Sequence, residues 1–343
     1  MGRKFYGLFA IVLVMAVTVS ACFGAAEGEK SSVLAPGAKV EKLAGDFKFT
    51  EGPAADGEGN VFFSDIPNNR ILRWSIHGEL TTYREDSGGS NGLFVDKKGN
   101  LLACEGGRRR VVSIDGFGKV TVLADSYEGP SGAGKKFNSP NDLWVDANGG
   151  VYFTDPSYDK KSELEQGGEH VYYIAPERPP QPVVSESNQP AEPNDANAPP
   201  KKKEGWEVIR VISDMVKPNG IIGTPDGKTL YVTDHGSDKT FKYSINPDGT
   251  LSNKELFAPE SSDGMTIDNE GNVYLTVMAA KTLQSYDTGA NPVAVYNSKG
   301  VKIESIEIPE RPANVCFGGK DKQTLFITAQ TSLYAVKMRV KGV

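Results

Sequence analysis

The chain has 343 residues, with 38 lysines and arginines against 44 aspartates and glutamates, for a formal net charge of −6. That negative surplus argues against a nucleic-acid partner, because phosphate binding needs a basic face. Charged residues at 24% and hydrophobic ones at 38% are ordinary for a soluble globular protein, and 38 glycines with 21 prolines imply the many tight turns of an all-β chain.

The N-terminus reads as a targeting segment. Arg3 and Lys4 precede an apolar stretch from Phe5 to about Val19, too short and wrongly flanked for a spanning helix. It ends in Val19-Ser20-Ala21-Cys22, which resembles a bacterial lipobox with Cys22 as the lipidated residue; plain secretory cleavage before Cys22 is the alternative. Residues 1–22 are expected to be a signal peptide and 23–38 a linker. The protein is expected to be exported to the periplasm or cell envelope, touching membrane only through a lipid at Cys22.

One phrase then recurs six times: a polar residue, a short apolar run, a Gly/Asp/Asn turn and a β-rich run. It starts at Glu51, Asn91, Asn141, Asn219, Asp263 and Asn314. Each phrase is a β-hairpin. Further strands follow most of them, such as Arg70–Trp74 and Leu80–Tyr83 after the first. Four antiparallel strands per unit of about 40–50 residues predict a six-bladed β-propeller over 39–343. The last unit lacks a fourth strand, and Val40–Phe49 is placed to supply it and close the ring. The spacing from Asn141 to Asn219 is too long for one blade. Its excess, about 176–205, is Pro-rich and polar, ends in Lys201-Lys202-Lys203, and is expected to be a disordered insertion between the third and fourth strands of blade three. Cys104 and Cys316 fall in non-adjacent blades and read as two separate buried thiols.

In a propeller, the starts of the innermost strands and the loops after the second strands share one face, here called the upper. All six inner-strand starts carry a side-chain oxygen, and six-fold geometry points them at one axis. A ring of carboxylates and carboxamides suits a hard divalent cation, most simply calcium; there is no matching His or Cys set for zinc. The alternative is that Asn-Gly and Asp-Gly merely form turns at the blade entries. Near the same face, Glu105, Arg109 and His235, with Asn91 and Asn314 on the ring, are candidate substrate contacts; a solvated surface run competes for Arg109 and a rim hydrogen bond for His235. His77 and His170 read as structural.

The segments Glu51-Gly52-Pro53, Phe137-Asn138-Ser139-Pro140-Asn141-Asp142, Lys217-Pro218-Asn219-Gly220 and Asp263-Gly264-Met265-Thr266-Ile267-Asp268 resemble the family of senescence marker protein (regucalcin), gluconolactonase and related lactonases. The resemblance covers about residues 40–338. It implies one divalent metal held by Glu51, Asn141, Asn219 and Asp263, and hydrolysis of a sugar lactone or related cyclic ester. It also implies that Asp263 serves as general base or orients the nucleophile; a ligand-only role is the alternative. A phosphotriesterase-like hydrolase and a non-catalytic ligand-binding propeller at the cell surface are the competing readings. No Ser-His-Asp elbow or phosphate-binding Gly loop appears.

Overall fold

Both faces of a propeller strand are buried, one against each neighbouring blade. Runs such as Val61-Phe62-Phe63 and Leu101-Leu102-Ala103-Cys104 are therefore apolar throughout rather than alternating. The computed structural model describes residues 1–2, 33–129, 134–158, 164–176, 206–277 and 292–343, and within them these runs form six four-stranded antiparallel sheets. Blade one is Thr50–Ala55, Val61–Asp65, Arg70–Trp74 and Leu80–Glu85. Blade two is Ser90–Val95, Leu101–Glu105, Arg110–Ile114 and Val120–Ala124. Blade three is Leu143–Val145, Val151–Asp155, His170–Ile174 and Val208–Ile212. Blade four is Pro218–Gly223, Thr229–Asp234, Lys239–Ile245 and Leu251–Ala258. Blade five is Ser262–Ile267, Val273–Val277, Pro292–Tyr296 and Lys302–Glu307.

Blade six takes three strands from the C-terminus, Pro312–Gly318, Thr324–Ala329 and Ser332–Lys337. Its fourth is Glu41–Ala44, which pairs Glu41 with Ala335 and Lys42 with Tyr334. The expected closure by an N-terminal strand is thus what the chain does. The packed chain starts ahead of that strand: Val33 is buried among side chains of blades five and six, and Leu34 bridges to Met338.

The core is six slabs, one between each pair of neighbouring blades. Alternate residues of one strand feed different slabs: Leu101 and Ala103 pack with blade one, Leu102 and Cys104 with blade three. Burying a side chain such as Phe153 stabilises by about 1.5–3 kcal/mol. Cys104 and Cys316 lie in separate slabs as free, buried thiols, and burial pushes both thiol pKa values up.

The hairpin turns at the lower face repeat one device. Asp96 Oδ1 accepts from the backbone N–H of Lys98 and of Asn100, each at 2.8 Å, and Asp146 Oδ1 does the same for Asn148 and Gly150. Gly99 and Gly149 complete these turns at φ +81° and +90°, a backbone region that favours glycine. The insertion expected at about 176–205, the signal peptide with Cys22, and most of the linker lie outside the described residues.

Candidate functional site

The upper ends of the inner strands are irregular in a way that aims side chains at the axis. Pairing slips between Glu51 and Ala54, Ser90 and Leu93, Pro218 and Ile221, Ser262 and Met265, and Pro312 and Asn314. Such bulges break the two-residue alternation and redirect a side chain. The glycines that follow four of the ring residues serve close packing more than turning. A Cβ on Gly92 would collide with Asp142 Oδ1, one on Gly264 with the Asn314 carboxamide, and one on Gly220 with Asp263 O. Hydroxyls at the ends of the second strands tie one blade entry to the next. Ser64 Oγ donates to Asn91 O (2.8 Å), Thr276 Oγ1 donates to Ala313 O (2.8 Å), and Thr233 Oγ1 accepts from Ser262 N (2.8 Å).

This frame opens a cavity of about 360 Å³ at the upper mouth, lined among others by Glu51, Asn91, Asn141, Asp263, Ser139 and Tyr158. Glu51, Asn141 and Asn219 are buried. Asn219 Nδ2 donates to Asp263 Oδ1 (2.7 Å) and to the Tyr158 hydroxyl (2.8 Å). Glu51 Oε2 accepts from Gly52 N (2.9 Å). Burial, then the neighbouring Asp263 carboxylate, holds the Glu51 pKa well above the usual carboxylate range. Burial also raises that of Asp263, against the opposing hydrogen bond from Asn219 and the charge of Arg311. The structure thus brings together the four residues singled out as metal ligands.

The other expected contacts divide. Asn91 lines the upper cavity. Asn314 is buried deeper on the axis, its Nδ2 3.5 Å from Asp142 Oδ2, and it lines a second cavity below. Glu105, fully buried, is occupied by Arg84 (2.9 Å) and Arg110 (2.6 Å). Arg109 donates to Phe137 O and pairs with Glu165 at 2.8 Å. The His235 backbone N–H donates to Lys217 O at 2.8 Å. None of Glu105, Arg109 and His235 lines the upper cavity, which blade two walls with Gly89, Asn91, Gly106 and Gly107. His170 is buried against Tyr172, with burial lowering its pKa, in keeping with a structural part.

Two residues of the axis escaped the sequence reading. Asp142 stands where other blades place glycine after the ring residue; Leu143 N donates to it (3.0 Å), and burial pushes its carboxyl pKa up to about 7. Aligning the six phrases exposes it as the acidic member of a series that is glycine in four. Tyr158 comes from the loop after the second strand of blade three, where no repeat signals it. Its hydroxyl pKa is raised, first by burial and then by the charges of Asp263 and Glu51.

The donor set fits a hard cation. Two carboxyls, Asp263 raising the proton affinity of Glu51, beside two carboxamides, supply oxygen ligands and a charge that a divalent ion would balance. Among the described residues no group of three or more His, Cys, Asp or Glu converges as a ligand set, so the carboxamides of Asn141 and Asn219 are needed to complete it. Asn219 now turns its Nδ2 to Asp263, and a two-fold flip of the carboxamide would present Oδ1 instead.

Six four-stranded blades around an axial, oxygen-lined pocket define a propeller with a small-molecule site at one mouth. The family model described as SMP-30/Gluconolactonase/LRE-like region matches residues 49–331, and the chain belongs to that family. A gluconolactonase from Zymomonas mobilis is 26% identical over 338 residues, covering 88% of this chain and 82% of the relative. The structure of a gluconolactonase from Xanthomonas campestris superposes with a TM-score of 0.70 at 26% identity, over 88% of this chain and 89% of that one. A calcium-binding regucalcin from Agrobacterium tumefaciens shares the fold, with a TM-score of 0.64 at 18% identity over 88% and 93% of the two chains.

Proposed function

We propose that this protein is a metal-dependent hydrolase that opens a sugar lactone, with calcium held by Glu51, Asn141, Asn219 and Asp263. The observation that carries the reading is that Glu51, Asn141 and Asp263 line one axial cavity, with Asn219 hydrogen-bonded to Asp263 at its edge, in a chain of the gluconolactonase family. A bound calcium ion supplies a Lewis acid for the lactone carbonyl. Asp263 accepts the proton of the attacking water, its carboxylate steadied by Asn219. The bond from the water oxygen to the acyl carbon forms, the acyl bond to the ring oxygen breaks, and Asp263 returns its proton to that oxygen, which becomes the hydroxyl of the open hydroxy acid. Tyr158 and Asn91, on the cavity wall, are placed to meet the hydroxyls of a sugar.

The test is Asp263→Asn, which keeps size and one oxygen but removes the base. At saturating calcium, hydrolysis of glucono-lactone, followed as acid release, is expected to slow by about 10²-fold or more. Full turnover in the variant refutes the base role. A wild type without metal-dependent hydrolysis of sugar lactones, simple lactones or phosphotriesters gives way to the ligand-binding reading.

The lipobox-like Val19-Ser20-Ala21-Cys22 supports a further proposal, that the protein is exported and anchored to the cell envelope. Cys22→Ala is expected to move it from the membrane fraction to the soluble one on cell fractionation. An unchanged distribution refutes the anchor.

A further inference from the structure

Three of the four proposed ligands share a feature outside the cavity. Asp155, at the end of the second strand of blade three, accepts from Asn138 N through Oδ2 and from Ser139 N through Oδ1, both at 2.8 Å. Asn141 follows two residues later. Asp234, at the same place in blade four, accepts from Val216 N (3.1 Å) and Lys217 N (2.8 Å), and Asn219 follows two residues later. Asp65 in blade one accepts from Lys48 N (3.1 Å) and Phe49 N (3.4 Å), and Glu51 follows two residues later. Each clamp is therefore in the same register: the donors are the N–H groups three and two residues before the ligand. All three aspartates are buried.

The equivalent position elsewhere differs. Blade two carries Glu105 there, committed to arginines, and Gly89 N turns to Asn69 Oδ1 (2.8 Å) instead. Blade five ends its second strand in Val277. Asp263 is held from its flanks, by Ser262 N on Thr233 Oγ1 and Gly264 N on Thr276 Oγ1, both 2.8 Å.

We propose that Asp65, Asp155 and Asp234 are positioning residues for the metal site, each fixing the backbone that delivers one ligand to the axis. The inference rests on the metal site put forward under Proposed function. A carboxylate satisfies two converging N–H groups at once. At Asp155 and Asp234 the two N–H groups take different oxygens, so a carboxamide, with one oxygen and its own N–H turned toward the second donor, releases half of each clamp with little change in volume. Asp65 takes both N–H groups on Oδ1, so Asp65→Ala is needed to release that clamp. Ligand donors must be held within about 0.5 Å of their working positions, and groups hydrogen-bonded to a ligand typically change a metal's affinity by about 10–100-fold; these clamps act one step further out, through the backbone that carries the ligand, which puts them at the low end of that range.

The experiment is calorimetric titration of calcium chloride into the chelator-treated full chain. Asp155→Asn, Asp234→Asn and Asp65→Ala are each expected to raise the calcium Kd by about 10-fold. Asp146→Ala is the control: this aspartate clamps two backbone N–H groups of the same blade at the lower face and accepts from the Tyr173 hydroxyl. Its calcium Kd is expected to stay within about twofold of wild type while its melting temperature falls at least as much as that of Asp155→Asn. An equal rise of Kd in Asp146→Ala, or unchanged Kd in the three clamp variants that fold, overturns the proposal. A wild type that takes up no calcium removes the metal reading itself and the clamp role with it, a result distinct from a wild type that binds and variants that bind equally well.

Discussion

The two mouths of the propeller axis are built by the same inner strands and present different side chains. The upper cavity carries Glu51, Asn91, Asn141 and Asp263 beside Phe49 and Ile66; the lower, of about 520 Å³, sets Leu93, Leu143, Trp144, Ile221 and Met265 among rim residues such as Asp96, Lys97 and Asp146. Regular strands at the lower end keep the two-residue alternation and turn aliphatic side chains to the axis. Bulges at the upper end break it and turn oxygens there. Asp142 and Asn314 stand between the two. One repeat thus presents different side chains at its two ends, separated by a few residues of each strand.

The largest expected effects divide along that line. Trp144→Ala, at the lower mouth, is expected to cost about 3–5 kcal/mol of stability in urea titrations, while turnover per folded molecule stays near wild type. Asp263→Asn is expected to do the reverse. It relieves the like-charge neighbour of Glu51, so the calcium-free variant should melt at or above the wild-type temperature despite its lost turnover. A Trp144→Ala protein that loses turnover without losing stability, or an Asp263→Asn protein that melts well below wild type, breaks the comparison.

A smaller effect is in pH. Glu51 and Asp263 hold their protons above the usual carboxylate range, and bound calcium must displace them. Calcium affinity is therefore expected to keep rising with pH beyond the range in which an ordinary carboxyl ionises and then to level, by up to about tenfold per pH unit for each proton released. The calcium-free protein runs the other way. Its folded carboxyls, Asp142 up to about 7 among them, keep protons where unfolded ones have lost them, so these groups make it more stable as pH falls from about 7 toward the ordinary carboxylate range. Calorimetry in buffers of differing ionisation heat checks the proton count, and affinity independent of pH contradicts it.

Much of this was legible in the sequence, for a physical reason. Repetition converts a weak local signal into a strong one. A single Asn-Gly is a turn, but six oxygen-bearing residues at one place in six hairpins mark an axis. The closing strand was legible because the last unit lacked a partner. Glu105 and Arg109 misdirect because their surroundings are set across the structure: Arg84, from the outer strand of blade one, reaches Glu105, and Phe137 and Glu165, near blade three, hold Arg109. Asp65, Asp155 and Asp234 read only as strand ends, since nothing in sequence tells a carboxylate facing solvent from one facing two N–H groups 16 to 18 residues earlier.

The seam of the ring bears on how the protein is made. Thr50 Oγ1 donates to Ser332 O across 282 residues of chain, and Glu41–Ala44 finds its partner only once Ser332–Lys337 exists. The first segment of the propeller to leave the ribosome is therefore the last to be satisfied. Contacts of such sequence separation slow folding. A ring that locks only on completion leaves its closing strand unpaired for the whole of the chain's synthesis.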